Sequence, residues 1–168
     1  MKELKNTINI NINEENIFAE YGYENQDFLE TSFVEAIEHL ANSRPTKEKI
    51  TINMKETKPM SFDQESFIKA YKNSFRHRME TKKQEINRCV LTGILMFVFS
   101  IAYILLHLYV ISDISESIAY FSDIAAWVFI WCSIEVLTLE LIQLIIDYQK
   151  IKRIFNANLV LIEYKEQQ

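Results

Sequence analysis

The sequence predicts an α+β membrane protein: a small N-terminal αβ domain, a long stalk helix and a two-helix transmembrane hairpin. Three observations predict it. Residues 89–112 contain no Asp, Glu, Lys or Arg. Residues 1–88 hold 14 of the 18 Lys and Arg and 15 of the 23 Asp and Glu. A second apolar run, from about Ile118 to Ile146, follows after a linker so short that the chain must turn straight back on itself. The whole-chain average of 49% apolar and 24% charged residues hides this split, which excludes both an acidic disordered chain and an ordinary soluble globule. Only two Gly and two Pro occur in 168 residues, which leaves no material for Gly-rich phosphate loops. The boundaries expected are a cytosolic αβ domain over 1–60, an amphipathic cationic stalk helix over 61–88, a first transmembrane helix over 89–111, an external loop over 112–117, a second transmembrane helix over 118–147 and a cytosolic tail over 148–168.

In the N-terminal half, TINININ alternates strictly. Ile8, Ile10 and Ile12 fall on one face and Asn9, Asn11 and Asn13 on the other, as in a half-buried strand. A short extended piece is expected over Ile17 to Tyr21. Leu29, Phe33, Ile37 and Leu40 have helical spacing, which predicts a helix over Asp27 to Asn42 with Asn25 or Asp27 as N-cap. Arg44–Pro45 breaks it. Lys49 to Met54 alternates again, with Ile50, Ile52 and Met54 on one side. After Pro59, Ser61 and Gln64 fit a capping box, and Phe67, Ile68, Tyr71, Phe75 and Met79 form a helical stripe. Nothing from 61 to 92 is Pro or Gly, so one continuous helix is expected to run from the soluble domain into the bilayer; two helices bent near Thr81 are the alternative.

Cys89 to Ile111 is 23 residues long, which as a helix reaches about 34 Å and exceeds a hydrocarbon core of about 30 Å. Its position in the chain does not suit a signal peptide. Cations flank the pair of spans: Arg76, Arg78, Lys82, Lys83 and Arg88 before the first, Lys150, Lys152 and Arg153 after the second. The linker carries Asp113 and Glu116 instead. The positive-inside rule then puts both termini in the cytoplasm of a multi-pass protein of the inner (cytoplasmic) membrane, with those cations against anionic lipid headgroups. Such a soluble part is small for independent stability. The tail segment 159–164 is expected either to add a strand to it or to lie on the membrane as an amphipathic helix. A homo-oligomer is expected too, because two helices rarely complete a bundle.

The polar residues inside the spans are the candidate functional residues: Glu135, Glu140, Gln143 and Asp123 on the second, Ser100 and His107 on the first. Glu135 is twelve residues from Asp147, about 18 Å above an inner boundary set there, and Ser100 is twelve residues from Arg88, so the two are expected at one depth. An intramembrane carboxylate costs at least about 2.5–3.5 kcal/mol on insertion scales and should face protein or water. His107 is expected at a depth suited to Asp123. Two readings stay open, a hydrated cation path through an oligomer or interhelical hydrogen bonds that hold a bundle together.

No catalytic, cofactor or metal site is expected. His39, His77 and His107 lack metal-ligand spacing, Cys89 and Cys132 form no C-x-x-C, and no dinucleotide, P-loop or nucleophile-elbow motif occurs. Acids interleave with the cations before Cys89, and the chain through Pro59 is acidic, which argues against nucleic acid.

The run Ala126-Trp127-Val128-Phe129-Ile130-Trp131, followed by a carboxylate and a basic exit, resembles uncharacterised small bacterial two-span membrane proteins with an N-terminal cytosolic αβ domain. The likeness covers about thirty residues, and Cys132-Ser133 stands where the pattern has its acid sooner. It implies architecture and no activity. The abundance of Ile, Asn and Lys suits a low-GC bacterium. The expectation for function is an oligomeric integral membrane protein that couples a cytosolic binding or sensing domain, for a cytosolic protein or a small ligand, to a transmembrane bundle with pore-forming or permeabilising capacity. The alternative is a non-catalytic scaffold or accessory subunit with a docking domain.

Overall fold

The computed structural model describes residues 7–12, 17–19, 28–43, 49–56, 63–111 and 116–162. The expected N-caps Asn25 and Asp27, the Arg44–Pro45 break, Ser61 of the capping box, most of the linker and the last residues of the tail lie outside them. The described elements run in the order β1 (Thr7–Ile12), α1 (Thr31–Asn42), β2 (Thr51–Glu56), α2 (Gln64–Leu106) with a π-helical turn at His107–Ile111, α3 (Glu116–Glu135), a π-helical turn at Val136–Glu140, α4 (Leu141–Phe155) and β3 (Asn158–Ile162). They form two compact units. One comprises Met1–Glu80 with Tyr148–Gln168, the other Thr81–Asp147.

The first unit is a parallel three-stranded sheet in the order β1-β2-β3. Alternation in the three strands puts Ile8, Ile52 and Leu159 in one row and Ile10, Met54 and Leu161 in the next, all on one face. That face packs on Val34, Ile37 and Ala41 of α1, Phe67, Tyr71 and Phe75 of α2, and Ile151 and Ile154 of α4. Each fully buried Ile or Phe contributes on the order of 1.5–3 kcal/mol. The opposite face is polar, with an Asn53 to Asn9 side-chain hydrogen bond of 3.1 Å, except at Val160 and Ile162 of β3, which are exposed.

Parallel strands need a crossover. The one between β1 and β2 contains α1. The one between β2 and β3 contains α2, α3 and α4, so the whole helical hairpin is an insertion in a β–α–β connection.

Two expectations for α1 are corrected. It begins at Thr31 rather than Asp27, because Phe18 and Leu29 form an antiparallel bridge and Glu30 N–H donates to Ile17 O at 2.6 Å, which holds 28–30 extended. Leu29 N–H is taken up by the buried Ser74 hydroxyl of α2 at 2.9 Å. The buried stripe is Val34, Ile37 and Ala41, and Leu40 is exposed. The stripe of α2 is likewise rotated: Phe67, Ala70, Tyr71, Ser74 and Phe75 are buried and Ile68 is exposed. The first turns of the expected stalk are therefore core of the αβ unit.

α4 ends against α2. Its last carbonyls have no helical partner. Ile154 O accepts the Tyr71 hydroxyl at 2.7 Å and Ala157 N–H at 2.9 Å, and Phe155 O accepts Lys72 Nζ. Lys72 also lies over the Phe155 ring, 4.5 Å from its centroid. Asn158 N–H then donates to Ile50 O, which starts the β2–β3 ladder.

Candidate functional site

In the second unit α2 and α3 are antiparallel neighbours. Their contact is made of small side chains: Cys89, Gly93 and Ser100 are buried on α2, and Ser122, Ala126 and Ser133 on α3. The spacings are the same, four and then seven residues, so each helix presents one narrow seam to the other. Ser133 donates to Gly93 O at 3.0 Å, the Cys89 thiol to Val136 O at 3.6 Å, and the Ser122 hydroxyl to the Tyr103 hydroxyl at 3.0 Å. Gly93 is needed for the close approach. A Cβ there would stand 2.5 Å from Leu137 Cγ. Outside the seam the large apolar residues are exposed, Phe99 at 69% and Trp127 at 70% among them.

This register corrects one expectation. Cys89 lies against Val136 and Gly93 against Ser133, so Glu135 is level with residues near 90, not with Ser100. Ser100 is level with residues near 125, about 15 Å away along the axis. The boundaries set by Arg88 on one helix and Asp147 on the other are not at the same height. The second helix extends about ten residues beyond the level of Arg88.

The candidate polar residues divide. Ser100 is fully buried in the seam and donates to Met96 O of its own helix at 2.7 Å. His107 Nε2 stands 3.0 Å from Asp123 Oδ1, which joins the far ends of the two helices. Glu135 and Glu140 are exposed and have no ion pair among the described residues. Gln143 is exposed and donates to Asp147 Oδ1 at 3.4 Å. The turn between the carboxylates is π-helical, with Leu141 N–H bonded to Val136 O. Such a turn holds more residues than an α-helical one, so it shifts Glu140 around the axis from where a regular α-helix would put it relative to Glu135. Sequence periodicity carries no signal for this insertion. Thr138, whose hydroxyl bonds Ile134 O at 2.6 Å, sits within it.

The cations divide as well. Arg78 is bound within the αβ unit, 2.8 Å from Glu38 and 3.9 Å from Glu35 of α1. Lys82 pairs with Glu85 at 2.6 Å. Lys150 and Arg153 are half-buried, and Arg76, Lys83, Arg88 and Lys152 are exposed. His77 packs edge-on against Phe28. Both cysteines are free, and among the described residues no three metal-ligating side chains come together.

The αβ unit has a cleft of about 320 Å³ lined by Ile10, Asn11, Ile12, Ile17, Ser32, Phe33 and Ala36. It lies at the carboxyl end of β1 and the first turns of α1, the end of a parallel sheet at which ligands usually bind. Its walls are apolar, with Asn11 and Ser32 as the polar groups. No sequence motif pointed to it.

Compared with known proteins, the chain matches no family model, no curated protein and no solved structure. The resemblance drawn from the aromatic run therefore extends to architecture alone: a small parallel three-stranded αβ region with two long apolar helices.

Proposed function

We propose that this chain is a homo-oligomeric two-span protein of the cytoplasmic membrane with both termini in the cytosol, where its αβ unit docks a cytosolic protein or small ligand and couples that event to the hairpin. It acts without catalysis. One observation carries the reading: two helices of 46 and 36 residues, long and apolar enough to cross a bilayer, leave and re-enter the αβ unit between adjacent strands. Any ligand that alters β2 and β3 thereby acts on the roots of both spans. The exposed apolar side chains of the hairpin support lipid as its surroundings, since soluble monomers rarely expose so continuous a patch. The cleft beside β1 is the candidate docking site.

The experiment is extraction followed by labelling. The chain should stay with membranes at alkaline pH. A Ser115→Cys variant lacking Cys89 and Cys132 should react with an impermeant thiol reagent from outside intact spheroplasts. Release into the supernatant, or labelling from the cytosolic side alone, would overturn the proposal.

A second reading, a pore-forming or permeabilising effector, is favoured by the two exposed carboxylates Glu135 and Glu140 on an apolar hairpin. It predicts ion flux from liposomes holding the purified chain, reduced by Glu135→Gln. The serines of the seam speak for the first reading, because their hydroxyls are used within the hairpin.

A further inference from the structure

We propose that copies of this chain assemble head-to-tail through Arg88 of one copy and Glu135 of the next. The inference rests on the membrane reading above. It starts from level. Cys89 lies against Val136, so Arg88 lies at the height of Leu137, between the two carboxylates and within about one helical turn of each. Residues 89–112 of the first helix carry no charge, so Arg88 is the last cation before the apolar run, one turn beyond the Lys82–Glu85 pair.

Arg88 and Glu135 point to different sides of one copy. Cys89 points into the seam, and Arg88, one residue back, is turned by about 100° onto the flank of α2. Ser133 points into the seam, and Glu135, two residues on, is turned by about 200° and faces away from α2. All three side chains are exposed, and none has an ion pair among the described residues. The hairpin thus offers one cation on the flank of α2 and the Glu135 carboxylate on the far side of α3, with Glu140 exposed one π turn further on.

That is a self-complementary charge pattern on two different surfaces. A copy that gives its Glu135 to one neighbour keeps its Arg88 for another, which makes the contact heterologous. The flanking exposed side chains Leu91, Ile94 and Leu95 on α2 and Leu139 and Ile142 beside the carboxylates supply apolar contact around it. Arg forms bidentate pairs with carboxylates, which suits a pair held partly out of water. Anionic lipid headgroups would account for Arg88, but they would repel Glu135 and Glu140. A second copy accounts for Arg88 and Glu135 together.

The test uses the full chain in nanodiscs and in mild detergent, with oligomer size read by native mass spectrometry. Arg88→Glu and Glu135→Arg should each raise the concentration needed for half-assembly about tenfold or more, and the two together should restore it. The neutral variants Arg88→Gln and Glu135→Gln should weaken assembly less, and unchanged helix content by circular dichroism shows that they fold. In a chain without Cys89 and Cys132, Arg88→Cys combined with Glu135→Cys should give a ladder of disulfide-linked species beyond dimer on oxidation. Unchanged oligomer size in both single reversals, failure of the double reversal to restore it, or a ladder that stops at monomer overturns the proposal. Loss of binding to phosphatidylglycerol vesicles by Arg88→Glu with oligomer size intact also overturns it, in favour of lipid. A wild-type chain that is monomeric in nanodiscs yet resists alkaline extraction sinks this inference and leaves the two-span reading standing. A wild-type chain monodisperse without detergent removes both.

Discussion

The Tyr71 hydroxyl donates to the Ile154 carbonyl at 2.7 Å, across 83 positions of sequence. The bond joins the start of α2 to the end of α4, so the two arms that carry the hairpin are fastened to each other beneath the sheet. Lys72 repeats the fastening one residue on, at Phe155 O.

Tyr71→Phe should lower stability by about 0.5–1.5 kcal/mol, the net value of one hydrogen bond, with Ile154 O still held by Ala157 N–H. Tyr71→Ala should cost more, about 3–5 kcal/mol as for other buried aromatics. Thermal melts of the detergent-solubilised chain check both, and a Tyr71→Phe chain as stable as wild type would show that the hydroxyl contributes nothing.

Burial pushes the Tyr71 phenol well above its ordinary range near pH 10. The unfolded chain then loses this proton where the folded chain keeps it. The stability involved is complete below about pH 10 and declines above it. Burial moves Lys72 the other way, below its ordinary value, so its contribution rises with pH until the unfolded lysine has titrated near 10.4. Melting temperatures from pH 8 to 11.5 should therefore fall less steeply at the alkaline end in Tyr71→Phe than in wild type. In Lys72→Met the rise below that limb should be reduced. Parallel curves for all three chains would contradict the assignment.

Gly93→Ala should loosen the hairpin although Ala is the better helix former by about 0.5–1 kcal/mol, because its methyl would press on Leu137. Leu137→Ala in the same chain should relieve it. The readout is the aggregation temperature in micelles; a Gly93→Ala chain as stable as wild type would mean that the helices have room to part.

The two faces of β3 should respond in opposite ways. Leu161→Asp puts a carboxylate beside Met54 on the packed face and should undock the strand, seen as new protease cleavage near the C-terminus. Val160→Asp, one residue away on the exposed face, should change stability by no more than about 0.5 kcal/mol. Equal sensitivity would mean that the strand's register is not the one described.

Arg78 and Glu38 should couple by only about 0.2–1 kcal/mol in a double-mutant cycle, since both side chains remain partly exposed. The coupling should shrink in high salt; a value above about 2 kcal/mol would show that the pair is shielded from water.

What could be read from residue order was whatever has a strict local period. Ile8, Ile10 and Ile12 alternate, and they are buried. Gln64 to Leu106 lacks Pro, and it is one helix. Long-range hydrogen bonds leave no such trace. The Phe18–Leu29 bridge moved the start of α1, and Ser74 fixed Leu29, each without any change in periodicity. The height of Glu135 depended on which residue of one helix faces which of the other. Charges mark the ends of each apolar segment, but the ends marked by Arg88 and Asp147 are staggered. The match of His107 to Asp123 was legible because that end of the hairpin is pinned by a short linker, which leaves little freedom of register. The π turn between Glu135 and Leu141 was invisible, since a single inserted residue disturbs a 3.6-residue pattern too little to be seen.

The position of the hairpin inside the β2–β3 crossover has a consequence for biosynthesis. β2 ends at Glu56 and its partner begins at Asn158, so the central strand must wait with one edge unpaired while the ribosome adds about a hundred residues. Its closing strand arrives only after both apolar segments have left the exit tunnel. A nascent chain that stalls or misinserts would keep that edge open to foreign strands, and would be marked for chaperones and proteases by the missing last ladder.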